Sequence, residues 1–392
     1  MTKRTVYERS GVNTSVADRL SAYAGKLSRK TKSPFVNVNA NSNYFRAPVT
    51  YDFLLNKLPL GCSFFSNTDG IGTKVGLHSV AGMYDQAGFD ACAMVFDDAA
   101  RFGNLALTLT TNVGIYSAGD NAPGASEIEK MHYEATTMIY DGIAQAAIDH
   151  RVRIIGGETA VLGVYQGGEI PVEQGLRFNC EAFITGVSHP DKLITGESLR
   201  AGQLVIALKE DGFRSNGISA VRKAFAAQYE EWYSNPRARS NVALAAAPSK
   251  IYYSLISALN GWFSPDFTPE VKIHAVAHIT GGGMEGKFFK DILEPRGLSC
   301  KLYDLFEPSE IMCKCKDWVG MPDEEAYTTW NGGQGMLVVV DNLSPVCRHV
   351  ISRAKEFGIE AKLVGEIYKW QKPRLLINSK FPGKGKRELV FK

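Results

Sequence analysis

Glycines placed beside hydroxyl, carboxylate, amide or cationic side chains carry the first chemical signal in this chain. They gather in five clusters: Thr68-Asp69-Gly70-Ile71-Gly72-Thr73-Lys74, Gly156-Gly157-Glu158-Thr159-Ala160, Asp211-Gly212-Phe213-Arg214-Ser215-Asn216-Gly217, His278-Ile279-Thr280-Gly281-Gly282-Gly283 and Asn331-Gly332-Gly333-Gln334-Gly335. Glycine lets backbone N–H groups approach an anion closely, and a following helix N-terminus adds a favourable dipole. One such cluster reads as a tight turn; five with polar company point to a phosphate-bearing ligand. Carboxylates supply the complement. Asp69, Asp90, Asp97, Asp98 and Glu158 lie beside glycine-rich or apolar segments, not in charge runs. The adjacent Asp97 and Asp98 follow the apolar Ala91 to Phe96. Burying two like charges costs free energy unless a cation or hydrogen bonds compensate. Mg²⁺, which prefers oxygen ligands and phosphates, is the expected compensation.

Two look-alikes fail on detail. Gly281 to Lys287 spells the opening of a P-loop, but Phe288 stands where a Ser or Thr hydroxyl must meet the metal. Gly70 and Gly72 begin a dinucleotide fingerprint that Val75 breaks.

These residues need elements to hold them. Leu204 to Leu208 and Met336 to Val340 have the length and composition of buried strands. Ser126 and Glu129 form a capping box, after which Ile128, Met131, Ala135, Met138, Ile139, Ile143 and Ala146 predict one apolar helical face ending near His150. A strand from Val152 to Ile155 then runs into Gly156-Gly157. A second helix is expected from Ser215-Asn216-Gly217, burying Ile218, Val221, Phe225 and Tyr229. A third spans Pro345 to Phe357 and stops at Gly358.

The bulk numbers exclude more than they assign. The chain has 392 residues, 45% hydrophobic and 22% charged, with 44 basic against 41 acidic residues. That length predicts more than one domain, and the composition excludes disordered, collagenous and coiled-coil classes. A formal charge of +3 gives no argument for a nucleic-acid or membrane surface. The N-terminus lacks a signal-peptide core and no run reaches the roughly 20 apolar residues of a membrane span, so a cytoplasmic location is expected. Seven cysteines, with only Cys313 and Cys315 close together, read as free or structural thiols. Asn13-Thr14-Ser15 matches a glycosylation acceptor without an export signal, and the basic tail carrying Lys384, Lys386, Arg387 and Lys392 reads as a solvated terminus.

Taken in order, T-D-G-I-G-T-K (from Thr68), I-I-G-G-E-T-A (from Ile154), S-N-G-I-S-A-V-R (from Ser215) and A-H-I-T-G-G-G (from Ala277) resemble the phosphoribosylformylglycinamidine cyclo-ligase (aminoimidazole ribonucleotide synthetase) family. Tyr7 with Gly11-Val12, Gly88-Phe89-Asp90, Pro248-Ser249-Lys250-Ile251-Tyr252 and Asn331 to Met336 extend the resemblance from Tyr7 to Ile367.

The resemblance implies a mixed α/β (α+β) fold of two domains. The first, 1–188, would bind ATP and pair in a homodimer, and the second, 189–392, would complete the enzyme. It implies ATP-dependent closure of formylglycinamidine ribonucleotide to aminoimidazole ribonucleotide through an iminophosphate, with ADP and phosphate released. Residue by residue, it implies metal contacts at Asp69 and Asp98, with Asp97 beside them. Nucleotide contacts are implied at Asp69, Gly70, Gly72, Thr73, Lys74, Gly156, Gly157 and Thr159. Substrate contacts are implied at Arg214, Ser215, Asn216, Thr280, Gly281, Gly282 and Gly283, and catalytic roles at His278, Glu158 and Lys74.

The chain also departs from the family pattern. Asp97-Asp98 stands for Asn-Asp, Phe102-Gly103-Asn104-Leu105-Ala106 for Gln-Gly-Ala-Glu-Pro, and Arg214 for the His preceding Ser-Asn-Gly. The Asn-rich Asn37 to Asn43 replaces a glycine-rich loop. Arg214 could add a phosphate contact. Two other readings stay open: another ATP-dependent member of the superfamily, or a nucleotide-binding regulator without turnover.

Overall fold

The computed structural model describes residues 14–39, 50–383 and 388–392. Tyr7, Gly11-Val12, Asn13, part of the Asn-rich segment and Lys384, Lys386 and Arg387 lie outside the described residues. The chain divides into two compact units, the first made of 1–95, 106–187 and 231–246 and the second of 96–105, 188–230 and 247–392. The units are therefore not contiguous in sequence: each borrows a short segment from the other's half.

The first unit opens with helix α1 (Thr14–Lys30) and a small antiparallel pair, β1 (Val36–Val38) with β2 (Tyr51–Phe53). Its main sheet is β3 (Ser63–Gly70), β4 (Leu105–Ile115), β5 (Arg153–Val161) and β6 (Phe178–Ser188), in the order β3-β6-β4-β5. Helices α2 (Val75–Ala81), α3 (Tyr84–Arg101) and α4 (Glu127–Asp149) follow the strands, α3 continuing into the second unit from Phe96. The Ser126–Glu129 capping box starts α4 as expected, and its cap falls at His150. The buried face of α4 is shifted from the expected one. Ile128 is exposed, and His132, Thr136 and Tyr140 are buried beside Ala135, Ile139 and Ile143. His132 and Thr136 can be buried because they find backbone acceptors, Val172 and His132 respectively. Glycine lets α3 and α4 touch backbone to backbone. A Cβ on Gly142 would stand 1.7 Å from Asp85 O, and one on Gly88 2.1 Å from Ile139 O.

The second unit is built on seven strands: β7 (Leu204–Lys209), β8 (Ile273–His278), β9 (Ser299–Leu302), β10 (Gln334–Val340), β11 (Ala361–Tyr368), β12 (Leu375–Asn378) and β13 (Glu388–Phe391). Their order is β13-β12-β9-β11-β7-β10-β8, antiparallel throughout except for β12 on β9. Every residue of β10 and the centre of β7 are buried, which is why both read as unbroken apolar runs, not as alternating ones. Helix α5 (Ile218–Gln228) opens at Gly217 and buries Ile218, Val221 and Phe225, while Tyr229 stays half-buried at its C-cap. Helix α6 (Tyr253–Leu259) is buried along its whole length, and α7 (Ser344–Glu356) ends before Gly358.

Candidate functional site

The first unit holds an open cleft of about 440 Å³ where β3 ends. Thr68, Asp69, Gly70 and Gly72 line it together with Asn179, Glu181 and Phe183 of β6. Asp69 Oδ1 accepts from the amide of Gly70 at 2.7 Å, an arrangement that fixes the carboxylate at the turn. A Cβ on Gly70 would meet Glu181 Cγ at 3.2 Å, so glycine keeps the two acidic residues within one cleft. Asn179 Nδ2 donates to Glu181 Oε1 at 3.1 Å. The sequence reading did not single out Asn179 or Glu181. Their signal was the alternation of polar and apolar residues along β6, which turns 179, 181 and 183 to one face.

Thr73 is exposed beside the cleft, but Lys74 turns away from it. Its Nζ lies 2.6 Å from Asp90 Oδ2, and His78 Nε2 lies 3.0 Å from the same oxygen, with all three side chains inaccessible to solvent. Burial alone would raise the Asp90 carboxyl. Lys74 and His78 outweigh that and hold it well below the usual carboxylate range, while burial pushes His78 down. Lys74, expected to contact nucleotide, is here paired with a buried carboxylate.

Gly156, Gly157, Glu158 and Thr159 lie within β5, in parallel register with β4, Glu158 opposite Asn112. Since β5 and β3 are the two outer strands of this sheet, Glu158 is not part of the Asp69 cleft. Glu158 is exposed, and the Thr159 hydroxyl contacts the Tyr140 hydroxyl. Burial pushes that Tyr140 hydroxyl up to about 12.

In the second unit a buried network occupies the expected metal position. Asp97 Oδ1 accepts from the amides of Tyr252 at 2.7 Å and Tyr253 at 2.9 Å, and its Oδ2 accepts from Arg214 Nη2 at 2.8 Å. Arg214 Nη1 donates to Glu210 Oε2 at 3.0 Å and to the carbonyl of Lys250 at 2.9 Å. The Tyr252 hydroxyl donates to the Lys209 carbonyl at 2.8 Å and faces Glu210 Oε2 at 3.2 Å. Two carboxylates thus share one guanidinium. Burial, reinforced by the Glu210 charge and opposed by Arg214 and the Tyr252 amide, pushes the Asp97 carboxyl up to about 7.

His278 stands beside this network. Its Nδ1 lies 2.8 Å from Asp98 Oδ1, and Nε2 has no hydrogen-bond partner among the described residues. Burial, with the charge of Arg214, pushes His278 down to about 4. The neutral ring therefore donates Nδ1–H to the Asp98 carboxylate and leaves a lone pair on Nε2. Burial raises Asp98, but His278, Arg101 and Lys287 outweigh it and the net shift is downward. With His278 neutral, the cations Arg101 and Lys287 do the electrostatic part of that work.

Asn216, Thr280, Ile279, Trp330 and Asn331 line a shallow, tightly packed concavity with Arg214 at its wall. The exposed Gly281 adjoins it, its Cβ position 3.6 Å from Asn216 Nδ2. Gly282 is exposed too, whereas Gly283 is buried at φ +57°, where a Cβ would stand 2.0 Å from Tyr327 O. Ser215 Oγ and Asn216 Oδ1 are buried without partners among the described residues. Five of the expected substrate residues, Arg214, Ser215, Asn216, Thr280 and Gly281, thus come together.

The donors fit Mg²⁺ unevenly. Asp69 and Glu181 offer oxygen atoms at an open cleft, as a hard cation requires. Asp97 does not fit, because both its oxygens are spent on protein donors. Asp98 retains partial exposure at 31%. No group of three or more His, Cys, Asp or Glu gathers as a metal centre among the described residues. No helix among them is long and apolar enough to cross a membrane.

Comparison with known proteins bears on the fold and the family. The family models described as "AIR synthase related protein, N-terminal domain" and "AIR synthase related protein, C-terminal domain" match residues 52–175 and 200–378. A phosphoribosylformylglycinamidine cyclo-ligase of Staphylococcus aureus (strain JH9) is 28% identical over 374 residues, covering 93% of this chain and 96% of its own. The cyclo-ligase of Staphylococcus aureus (strain Newman) is 29% identical over 378 residues, with the same coverage. Among solved structures, thiamine-monophosphate kinase from Stenotrophomonas maltophilia K279a superposes with TM-score 0.57 at 12% identity, covering 92% of this chain and 95% of that one. Hydrogenase maturation protein HypE in complex with ATP superposes with TM-score 0.56 at 13% identity, covering 90% of each. Those two likenesses carry the fold alone. With both family domains matched in order, this chain is a divergent member of the AIR synthase related superfamily.

Proposed function

We propose that this protein is an ATP-dependent enzyme that activates an oxygen of a small molecule by phosphoryl transfer, its best-supported substrate being formylglycinamidine ribonucleotide. The observation that carries the reading is that Ser215 Oγ, Asn216 Oδ1 and His278 Nε2, on segments whose sequence resembles that of a cyclo-ligase, are buried without a hydrogen-bond partner among the described residues. Unsatisfied polar atoms in a native interior are met by water, an ion or a ligand, and a bound small molecule is one way to meet these. Full-length likeness to the cyclo-ligases supports the choice of substrate.

On this reading the Asp69–Glu181 cleft takes the nucleotide phosphates, with the exposed Thr73 beside them. Mg²⁺ held by Asp69 and Glu181 would offset phosphate charge, the main requirement of phosphoryl transfer. Ser215 and Asn216 hold the acceptor molecule, and Gly281 and Gly282 leave the backbone open to its phosphate. His278 Nε2 takes the proton released when the amidine nitrogen closes the imidazole ring, and Asp98 holds the ring by Nδ1–H. The formyl oxygen leaves as phosphate from the iminophosphate. Exposed Phe64 on β3 supports pairing of the first unit with a second copy, a homodimer.

A second reading is another phosphotransfer reaction of the same superfamily, or a nucleotide-binding regulator without turnover. The replaced segment Phe102 to Ala106 favours it. That segment here serves as a clamp: the Gly103 carbonyl accepts from Trp262 Nε1 at 2.7 Å, and the Phe102 carbonyl from the Ile194 amide at 3.0 Å.

Incubation of the purified protein with ATP, Mg²⁺ and formylglycinamidine ribonucleotide separates the readings. Aminoimidazole ribonucleotide, ADP and phosphate in equal amounts are expected. ATP binding with no product would overturn the cyclo-ligase reading and leave the second.

A further inference from the structure

The Asn331 to Gly335 cluster has no part in the function proposed above, and its five residues are all buried. Its glycines make room for neighbouring protein. A Cβ on Gly332 would overlap the Tyr327 ring, one on Gly333 the Glu307 carbonyl and one on Gly335 the Tyr252 hydroxyl. We propose that this cluster is not a ligand loop, and that Trp330 and Asn331 are positioning residues that clasp the 212–217 loop at both ends and so fix Ser215 and Asn216.

The clasp consists of two hydrogen bonds from adjacent residues. Asn331 Nδ2 donates to the carbonyl of Gly212 at 2.9 Å, and Trp330 Nε1 donates to the carbonyl of Gly217 at 3.1 Å. Between those two bonds the chain runs through Phe213, Arg214, Ser215 and Asn216. The Phe213 ring meets the Trp330 ring edge-on with centroids 5.2 Å apart, so one indole holds the start of the loop as well as its end. Gly217 has φ +72°, and a Cβ there would stand 2.7 Å from Trp330 Cδ1. Glycine is what lets the loop end lie that close to the indole.

The clasp is itself held in place. Asn331 Oδ1 accepts from the amide of Gly333 at 2.8 Å, which leaves Nδ2 aimed at Gly212. Gln334 Oε1 accepts from the amide of Phe306 at 2.7 Å, and its Nε2 donates to the carbonyls of Phe306, at 3.2 Å, and Gly332. The Gly333 carbonyl accepts from the amide of Glu210, directly after β7, at 2.9 Å. Both buried side-chain amides are thus paired with backbone through oxygen and nitrogen alike, as interior polar groups require. Ser215 Oγ and Asn216 Oδ1, inside the clasped loop, have no hydrogen-bond partner among the described residues. A frame with its own polar groups satisfied around two open ones is the support that holds a binding group in a single geometry.

The test uses the full chain as wild type, W330F and N331L. W330F keeps a ring against Phe213 and loses one donor; N331L keeps the bulk and loses both ends of the amide. Limited trypsin digestion reads the loop directly, because Arg214 is buried within it. Cleavage after Arg214 is expected to be about tenfold faster in N331L than in wild type, and a few-fold faster in W330F, with other sites unchanged. No acceleration at Arg214, or an equal one at every site, would overturn the clasp. If N331L does not accumulate as folded protein, W330F decides by the same criterion.

The role toward ligand rests on the function proposed above. N331L is expected to raise KM for formylglycinamidine ribonucleotide about tenfold, and W330F less, with KM for ATP unchanged in both. An equal or larger rise in KM for ATP, or no rise in either, would overturn the positioning role. A wild-type protein inactive on formylglycinamidine ribonucleotide would sink the function reading, and the trypsin result would still decide the clasp.

Discussion

Asp90 and Asp97 belong to the same helix and are equally inaccessible, yet their carboxyls are shifted in opposite directions. In the first unit one carboxylate has a lysine and a histidine to itself, and Asp90 stays ionised far below the ordinary range. In the second unit two carboxylates divide one arginine, and Asp97 is pushed up to about 7. Burial is the common term. The balance of neighbouring charge decides the sign. A buried aspartate in a sequence is thus not by itself a metal ligand, a base or a structural anion; the count of cations around it makes it one of these.

The largest test of this contrast is to remove the cation from each network. R214M leaves two buried carboxylates unpaired, and K74M leaves one that His78 can still meet by taking a proton. Urea denaturation should show R214M losing about 4 kcal/mol or more and K74M less, within the range of about 3–5 kcal/mol for a broken buried pair. The reverse order would break the comparison.

The two aspartates should also respond oppositely to pH. Asp97, raised in the folded state, binds its proton more tightly folded than unfolded, so its contribution is full below the unfolded value of 3.8 and lost as pH rises through about 7. Asp90, lowered when folded, contributes above 3.8, and that contribution is lost as pH falls through its folded value. Carboxyl-carbon NMR should find Asp97 titrating near neutrality and Asp90 still ionised at the acid limit of folding. Coincident midpoints would remove the distinction.

Smaller effects probe the open cleft lined by Asp69 and Glu181. E181Q and D69N should each weaken Mg²⁺-ATP binding about tenfold, roughly 1.4 kcal/mol, with unfolding midpoints unchanged. A stability loss without an affinity loss would show those carboxylates to be structural. The smallest change expected is at the start of α4, where Ser126→Ala removes one half of a capping box and should cost about 1 kcal/mol in urea. Neither charge network should feel it, so an altered Asp90 titration in that variant would count against their independence.

Much of this was legible in the residues. The capping box, the buried strands β7 and β10 and the stop before Gly358 follow from local pattern, because each is decided by the chain within a few residues of itself. Ile128 was misplaced because helical spacing cannot weigh an apolar residue in the first turn against His132 and Thr136, which gain acceptors only after folding. The Gly70 loop was recognisable, but its partner Glu181 lies far along the chain and was hidden in an ordinary alternating strand.

By itself the sequence determined which segments are strands and helices, that its glycines gather around polar groups, and to which superfamily the motifs belong. Tertiary structure alone decided where each charge is spent. Lys74 went to Asp90 and not to the cleft, Asp97 to Arg214 and not to an open metal position, and His278 Nε2 was left with a free lone pair. The reason is that hydrogen-bond partners separated by more than a hundred residues, as Asp97 and Arg214 are, become neighbours only when the core closes, and burial then multiplies the cost of any mismatch.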